Sequence, residues 1–207
     1  MKVTIFGATG SVGKHLVNEA LESGNAVTAV VRDPSKLAVQ HANLRVVIAD
    51  VMIDDDRLRG AVLGSDAVMI ALGDGMRGNV RSVGTRNIIA AMKEAGVSRL
   101  ICQSTLGAGE SFENLNWLWR FIFRVPLRRA MADHVEQEQH VRDSGLRWTI
   151  VRPAAFTDGE KTEQYQHGFT AQAEGLTLKI SRADVADFMI RQLRSLDYLR
   201  KTPALSY

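Results

Sequence analysis

The sequence predicts a doubly wound α/β fold, a parallel sheet with helices on both faces. Three observations predict it. Short apolar runs alternate with longer segments of helical periodicity along most of the 207 residues, the pattern of successive βαβ units. The apolar runs are nearly continuous, as expected of parallel strands covered on both sides. Glycines close two of the helical segments, at Gly96 and Gly145, where a left-handed residue ends a helix without strain.

Taken in order, Lys2–Phe6 is the first strand and 11–23 the first helix, with Val12, Leu16, Val17, Ala20 and Leu21 on one face. The second strand is Ala26–Val31, the third 44–49 and the fourth 67–72. A helix over 86–95 leads to the fifth strand at 99–104. A helix over 133–143 opens on Asp133, with Glu136 three positions later as a capping-box partner, and Glu138 and Gln139 fall on its solvated side. The sixth strand spans 147–151 and is closed by Pro153, and a last helix runs over 182–196. Right-handed crossovers then fix the topology. Two segments break the alternation, 107–130 and 154–180, and these are expected on the substrate side of a single domain covering 1–207. The first carries Trp117, Trp119, Phe121 and Phe123 with Arg120, Arg124, Arg128 and Arg129 between and after them.

Composition narrows the class. An apolar fraction of 45% and a charged fraction of 24% are those of a folded globular domain and argue against disorder. The single cysteine, Cys102, permits no internal disulfide and no thiolate metal cluster. No His/Asp/Glu set has metal-ligand spacing, so no metal is expected. The run Met1–Phe6 is too short for a signal peptide, and no stretch approaches the roughly 20 apolar residues of a membrane span. The expected location is therefore cytoplasmic. The net charge of +3 is a small excess spread among acids, and no nucleic-acid module accompanies it, so no nucleic-acid partner is expected. The sequence is equally compatible with a monomer and a homodimer, and with a protein partner.

The motif with the most chemical content is Gly7-Ala8-Thr9-Gly10-Ser11-Val12-Gly13, between the first strand and the first helix. Gly7 permits the tight turn, Gly10 lets backbone approach a pyrophosphate, and Gly13 lets helix and strand pack closely. The free N–H groups of the helix terminus face the phosphates. Strand, turn and helix in this order make a dinucleotide-binding Rossmann unit. About 20 residues further on, an acid would bind a ribose hydroxyl and an arginine would accommodate a 2′-phosphate. Arg32 stands first at that place, with Ser35 and Lys36 as second contacts and Asp33 beside it. NADP(H) is therefore expected, with NAD(H) less favoured. Asp50, Val51, Leu72 and Gly73 lie at carboxyl ends of strands, where ligands of open α/β sheets bind. Asp50 suits either an adenine contact or a local turn, and Gly73 leaves bare backbone for the nucleotide.

The motifs at Gly7–Gly13, at Val31-Arg32-Asp33-Pro34-Ser35-Lys36-Leu37, and at Ser144-Gly145-Leu146-Arg147-Trp148-Thr149-Ile150-Val151-Arg152-Pro153 resemble the atypical short-chain dehydrogenase/reductases. The chain is most similar to their NAD(P)H-binding, NmrA-like branch, which includes the biliverdin-IXβ (flavin) reductases. The likeness runs through Ile180–Ala186 and so covers nearly the whole chain. It implies that Ser104 matches an active-site serine near the hydride acceptor, and that Ser104, Thr105 and Pro153 join the cofactor-contacting residues. The wider superfamily carries a Tyr-x-x-x-Lys pair before the sixth strand. Those positions are Ala130 and His134 here, and the only tyrosines are Tyr165, Tyr198 and Tyr207. Ordinary alcohol dehydrogenase or nucleotide-sugar epimerase/dehydratase chemistry is thereby disfavoured.

The expected activity is NADPH-dependent reduction of a planar conjugated acceptor: a flavin, a biliverdin-like tetrapyrrole or a quinone. Ser104 and His134 are the candidate catalytic residues, the histidine because it ordinarily titrates near neutrality. The segment 117–123 suits a lid over a flat acceptor, and equally a core helix, a dimer interface or a membrane-surface helix. Cys102 reads as a buried, inert side chain. The missing Tyr–Lys pair keeps a second class open, an NADP(H)-sensing regulatory protein of NmrA-like type without turnover.

Overall fold

The computed structural model of the chain describes residues 1–53, 56–73, 75, 78–109, 111, 127–169 and 175–207. Its centre is an eight-stranded sheet. In chain order the strands are β1 (Lys2–Phe6), β2 (Ala26–Val31), β3 (Leu44–Ile48), β4 (Ala67–Ile70), β5 (Arg99–Gln103), β6 (Arg147–Pro153), β7 (Ala155–Thr157), β8 (Gln166–His167), β9 (Lys179–Ser181) and β10 (Ala204–Ser206). The spatial order is β3-β2-β1-β4-β5-β6-β10-β8, with β7 and β9 paired apart as a small parallel ribbon. Every pairing in the main sheet is parallel except β10 with β8. The doubly wound sheet expected from the alternation is thus the fold.

Five helices, among the described residues, cover this sheet: α1 (Gly13–Glu22), α2 (Asp56–Val62), α3 (Val80–Glu94), α4 (Arg128–Asp143) and α5 (Arg182–Arg191). One face packs against α1 and α5, joining Leu16, Val17, Ala20 and Leu21 to Val185, Phe188 and Met189. The other packs against α2, α3 and α4, through Leu58, Ile88, Met92 and Val141. Strands β4 and β5 are buried at every residue, which is why their sequences read as unbroken apolar runs. Among the described residues no helix is long and apolar enough to cross a membrane.

The last helix starts at Arg182 as expected and ends at Arg191, five residues short of 196, whereas α3 and α4 differ at their starts. Helix α3 begins at Val80, six residues before the expected start, and α4 at Arg128, five before. Neither has a side-chain cap of its own, so the usual starting signature is missing. Asp133 therefore does not open its helix. It sits in the second turn of α4, and its carboxylate instead accepts from the backbone N–H groups of Ser82 at 2.8 Å and Arg81 at 3.2 Å in the first turn of α3. Glu138 is likewise not on a solvated side. It is buried, and Arg152 of β6 donates to it through Nε at 2.9 Å. Gln139 is exposed as expected. Helix α2 and strand β10 had no expectation attached to them.

Candidate functional site

Strand β1 lies between β2 and β4, so the chain leaves it in one direction for β2 and β3 and returns to the other side for β4, β5 and β6. That reversal opens a crevice beyond the carboxyl ends of the strands, the place where open α/β sheets bind ligands. The glycine turn forms its floor. Gly7 has φ +80°, and Gly10 donates to the Gly7 carbonyl at 2.9 Å. A Cβ on Gly7 would run into the Ala71 carbonyl, and one on Gly13 would overlap the Gly7 carbonyl. Only hydrogen fits at these two positions, which brings α1 and β4 close to the turn. Helix α1 starts with no side-chain cap and no acidic residue in its first turn. The Lys14 amide donates to the Gly10 carbonyl at 3.1 Å, and the N–H groups just before it, from Ser11 to Gly13, are the ones that face an anion. This cradle fits the pyrophosphate of a dinucleotide.

On one side of the turn is a lobe of about 280 Å³ lined by Gly7, Thr9, Gly10, Arg32, Lys36, Asp50, Val51, Leu72 and Gly73, with Val30, Val31, Ala49, Ala71 and Val80 behind them. Arg32 follows the last residue of β2 and is exposed. Its neighbour Asp33 turns away. The Asp33 carboxylate accepts from the Ser35 hydroxyl at 2.6 Å and amide at 3.1 Å, and these bonds hold its pKa below the usual carboxylate range. The acid that would read a ribose hydroxyl is thus engaged in its own turn, while two cations line the lobe. Asp50 makes a local turn too, accepting from the Met52 amide at 3.0 Å, and still lines the lobe.

On the other side lies a lobe of about 350 Å³, sharing Gly10, Ala71, Leu72 and Gly73 with the first. Ser11, Val12, Ser104, Thr105 and His134 line it, together with Arg81, Gln103 and Phe156. Ser104 follows β5, and its Oγ lies 3.4 Å from Nδ1 of His134 on α4, a long contact for a hydrogen bond. Burial, and then the nearby Arg81 charge, push the His134 pKa down to about 3. The ring is neutral through the physiological range, so the titration near neutrality expected of it is not found here. It can orient a neighbour and accept or donate one hydrogen bond, but it lacks the imidazolium proton of a general acid.

Most of the candidate residues therefore meet in one crevice. Gly13 sits beneath it as a packing position, and Pro153 is buried at the end of β6 and lines neither lobe. The aromatic segment 117–123 lies outside the described residues. Burial pushes the Cys102 thiol pKa up, and it stays unionised. Among the described residues no group of three His, Cys, Asp or Glu is placed to hold a metal. Of the side chains that line the lobe of Ser104 and His134, Gln103, Arg81 and Phe156 had no sequence expectation. Gln103 could have been found from its place beside Ser104 at a strand end. Arg81 and Phe156 arrive from a helix start and a short ribbon that no local pattern marks.

Comparison with known proteins agrees with this geometry. A family model described as NAD(P)H-binding matches residues 7–195. Quinone oxidoreductase 2 of Escherichia coli (strain K12) is 27% identical over 194 residues, covering 89% of this chain and 61% of that protein. A short-chain dehydrogenase/reductase from Veillonella parvula in complex with NADP superposes with a TM-score of 0.85 at 19% identity, covering 100% of this chain and 94% of that one. ChuY, described as an anaerobillin reductase from Escherichia coli O157:H7, superposes at 0.81 with 22% identity, covering 99% and 96%.

Proposed function

The chain belongs to the NAD(P)H-binding family, and from that premise we propose that it is an NADPH-dependent reductase of planar conjugated acceptors: flavins, linear tetrapyrroles or quinones. One observation carries the reading. A single crevice runs from Arg32 and Lys36, past the glycine turn, to Ser104 and His134. An NADP complex on the same fold and relatives named for quinone and anaerobillin reduction support it.

Bound NADPH supplies the two electrons as a hydride. The residues of this chain do the rest. Backbone N–H groups from Ser11 to Gly13 would hold the pyrophosphate, and Arg32 with Lys36 would meet the 2′-phosphate as a charge-assisted pair of contacts. Leu72, Gly73 and Val12 form the wall that keeps water from the reacting ring. The Ser104 hydroxyl donates to a polar atom of the acceptor, and neutral His134 fixes the direction of that hydroxyl. Among the described residues no side chain of this lobe is an acid at neutral pH, so the accompanying proton comes from water. That suffices for an extended conjugated acceptor, in which the incoming charge is delocalised, and it is unsuited to an isolated carbonyl.

The test is NADPH consumption with FMN, riboflavin, a quinone and biliverdin, repeated with Arg32→Ala and Ser104→Ala. Turnover on any of the four that falls with both substitutions supports the proposal. A second reading is favoured by Ala130 and the neutral His134 standing where the superfamily keeps Tyr and Lys: an NADP(H) sensor without turnover. Tight NADPH binding with no consumption on all four acceptors decides for the sensor.

A further inference from the structure

Gln103 is the last residue of β5, paired in register with Val151 and immediately before Ser104. It is 8% exposed, and it lines the lobe that holds Ser104 and His134. Its Oε1 is buried without a hydrogen-bond partner. Among the described residues two other buried glutamines also leave an oxygen unmatched, Gln137 and Gln192. Those two are anchored through Nε2, to Thr85 and to the Phe188 carbonyl, each at 3.1 Å. The Gln103 carboxamide has no such anchor among the described residues, and of the three it alone lines the crevice. Buried polar groups are nearly always satisfied, and one that is not calls for a partner from outside the chain.

We propose that Gln103 selects the acceptor by reading an N–H set beside a C=O, the edge of a cyclic imide or lactam, and so favours flavins and tetrapyrroles over quinones. The inference rests on the reductase reading above. A carboxamide presents one acceptor oxygen and one donor nitrogen side by side. An imide or lactam edge offers the complementary pair, and the carboxamide, which no hydrogen bond anchors among the described residues, turns about its last torsion to bring its buried oxygen to that edge. A quinone offers carbonyls only and leaves Oε1 buried and unmatched. A site built to bond a particular N–H discriminates strongly against analogues that lack it, because its own buried group is left without a partner. Phe156 supplies the second half of the recognition. Its ring lines the same lobe, and the Arg182 guanidinium stacks on it at 5.3 Å, giving a flat acceptor a face to lie on while its edge is read by Gln103.

The experiment compares kcat/KM, with saturating NADPH, for riboflavin, 3-methylriboflavin and menadione in the wild-type chain and in Gln103→Leu. Riboflavin carries the imide N–H, the methylated analogue has lost it, and menadione never had one. The wild-type chain should prefer riboflavin to 3-methylriboflavin by about tenfold or more, the worth of one buried hydrogen bond. Gln103→Leu keeps the bulk but not the carboxamide, so the preference should collapse towards unity. If Gln103→Leu fails to fold, Gln103→Met, which keeps the unbranched chain and lacks the carboxamide, makes the same comparison. Equal rates for the two flavins in the wild-type chain overturn the inference, as does turnover of menadione without riboflavin, and the reductase reading survives both. A preference that persists in Gln103→Leu is steric and also overturns it. A weakened NADPH affinity with equal losses on all acceptors would assign the carboxamide to the nicotinamide instead. No consumption with any of the three, nor with FMN or biliverdin, despite NADPH binding, overturns the reductase reading and this inference with it.

Discussion

The Asp133 carboxylate caps a helix it does not belong to. From the second turn of α4 its Oδ1 accepts the Ser82 amide at 2.8 Å, and its Oδ2 accepts the Arg81 amide at 3.2 Å and Nη1 at 3.3 Å. Burial alone would raise its pKa, but these hydrogen bonds outweigh burial and hold it below the usual carboxylate range. One residue therefore supplies the missing cap of α3, ties α3 to α4, and places Arg81 in the crevice wall beside His134.

Asp133→Ala should accordingly destabilise the fold by about 4 kcal/mol, the lower end of the cost of breaking a buried ion pair, about 3 kcal/mol, with about 1 kcal/mol added for the loss of a helix cap. Urea unfolding measures it. Asp133→Asn keeps one acceptor oxygen and should lose less. A loss below about 1 kcal/mol in the alanine variant would mean that the cap is replaced by solvent.

His134 gives a pH signature of stability. Its pKa is about 3 in the fold against 6.5 for an ordinary histidine, so the unfolded chain binds a proton that the folded chain refuses. Stability contributed by the neutral ring is complete above pH 6.5 and is lost as the pH falls from 6.5 towards 3. His134→Gln removes the titration and should flatten the stability curve between about pH 6.5 and 4. Identical slopes in the two proteins, measured by urea midpoints across that range, would refute the assignment.

The legible and illegible parts of the molecule differ in range. The glycine turn, the strand ends and the place of Arg32 in the lobe could be read locally, because strand, turn, helix and second strand follow each other within one βαβ unit. The starts of α3 and α4 could not, because the cap of one is a side chain of the other, some fifty residues away in sequence. Glu138 looked solvated for the same reason. A helix pattern shows which positions are charged, while the arginine that buries this glutamate, Arg152, comes from β6. His134 was recognised as a candidate, yet its protonation state depends on burial and on Arg81, and neither is visible in the residues around it.

In the proposed reading Arg32 carries the cofactor preference. It lines the lobe with Lys36, while Asp33 is bound to Ser35. Arg32→Ala should weaken NADPH binding by about ten- to a hundredfold, the value of hydrogen bonds to a charged group, and leave NADH binding nearly unchanged. Because Arg32 is exposed, the loss should shrink as salt is raised. Fluorescence titration with both nucleotides at two salt concentrations checks it, and equal losses for both nucleotides would sink the assignment.

Two glycine-to-alanine substitutions should move in opposite directions. Gly60 lies within α2, is exposed, and a Cβ there meets nothing within 4 Å. An alanine at such a position restricts only the unfolded chain and should stabilise the protein by about 0.5–1 kcal/mol. Gly13 opens α1, and its Cβ would overlap the Gly7 carbonyl. Relief would require α1 to move away from the turn, and the N–H groups that face the pyrophosphate would move with it. Gly13→Ala should therefore lose stability and NADPH affinity together, the affinity by at least about tenfold, whereas Gly60→Ala should bind NADPH as the wild-type chain does. Thermal unfolding with and without NADPH separates the two effects. An unchanged NADPH-induced shift in Gly13→Ala would show that the close approach of helix and turn is a packing feature with no part in holding the phosphates.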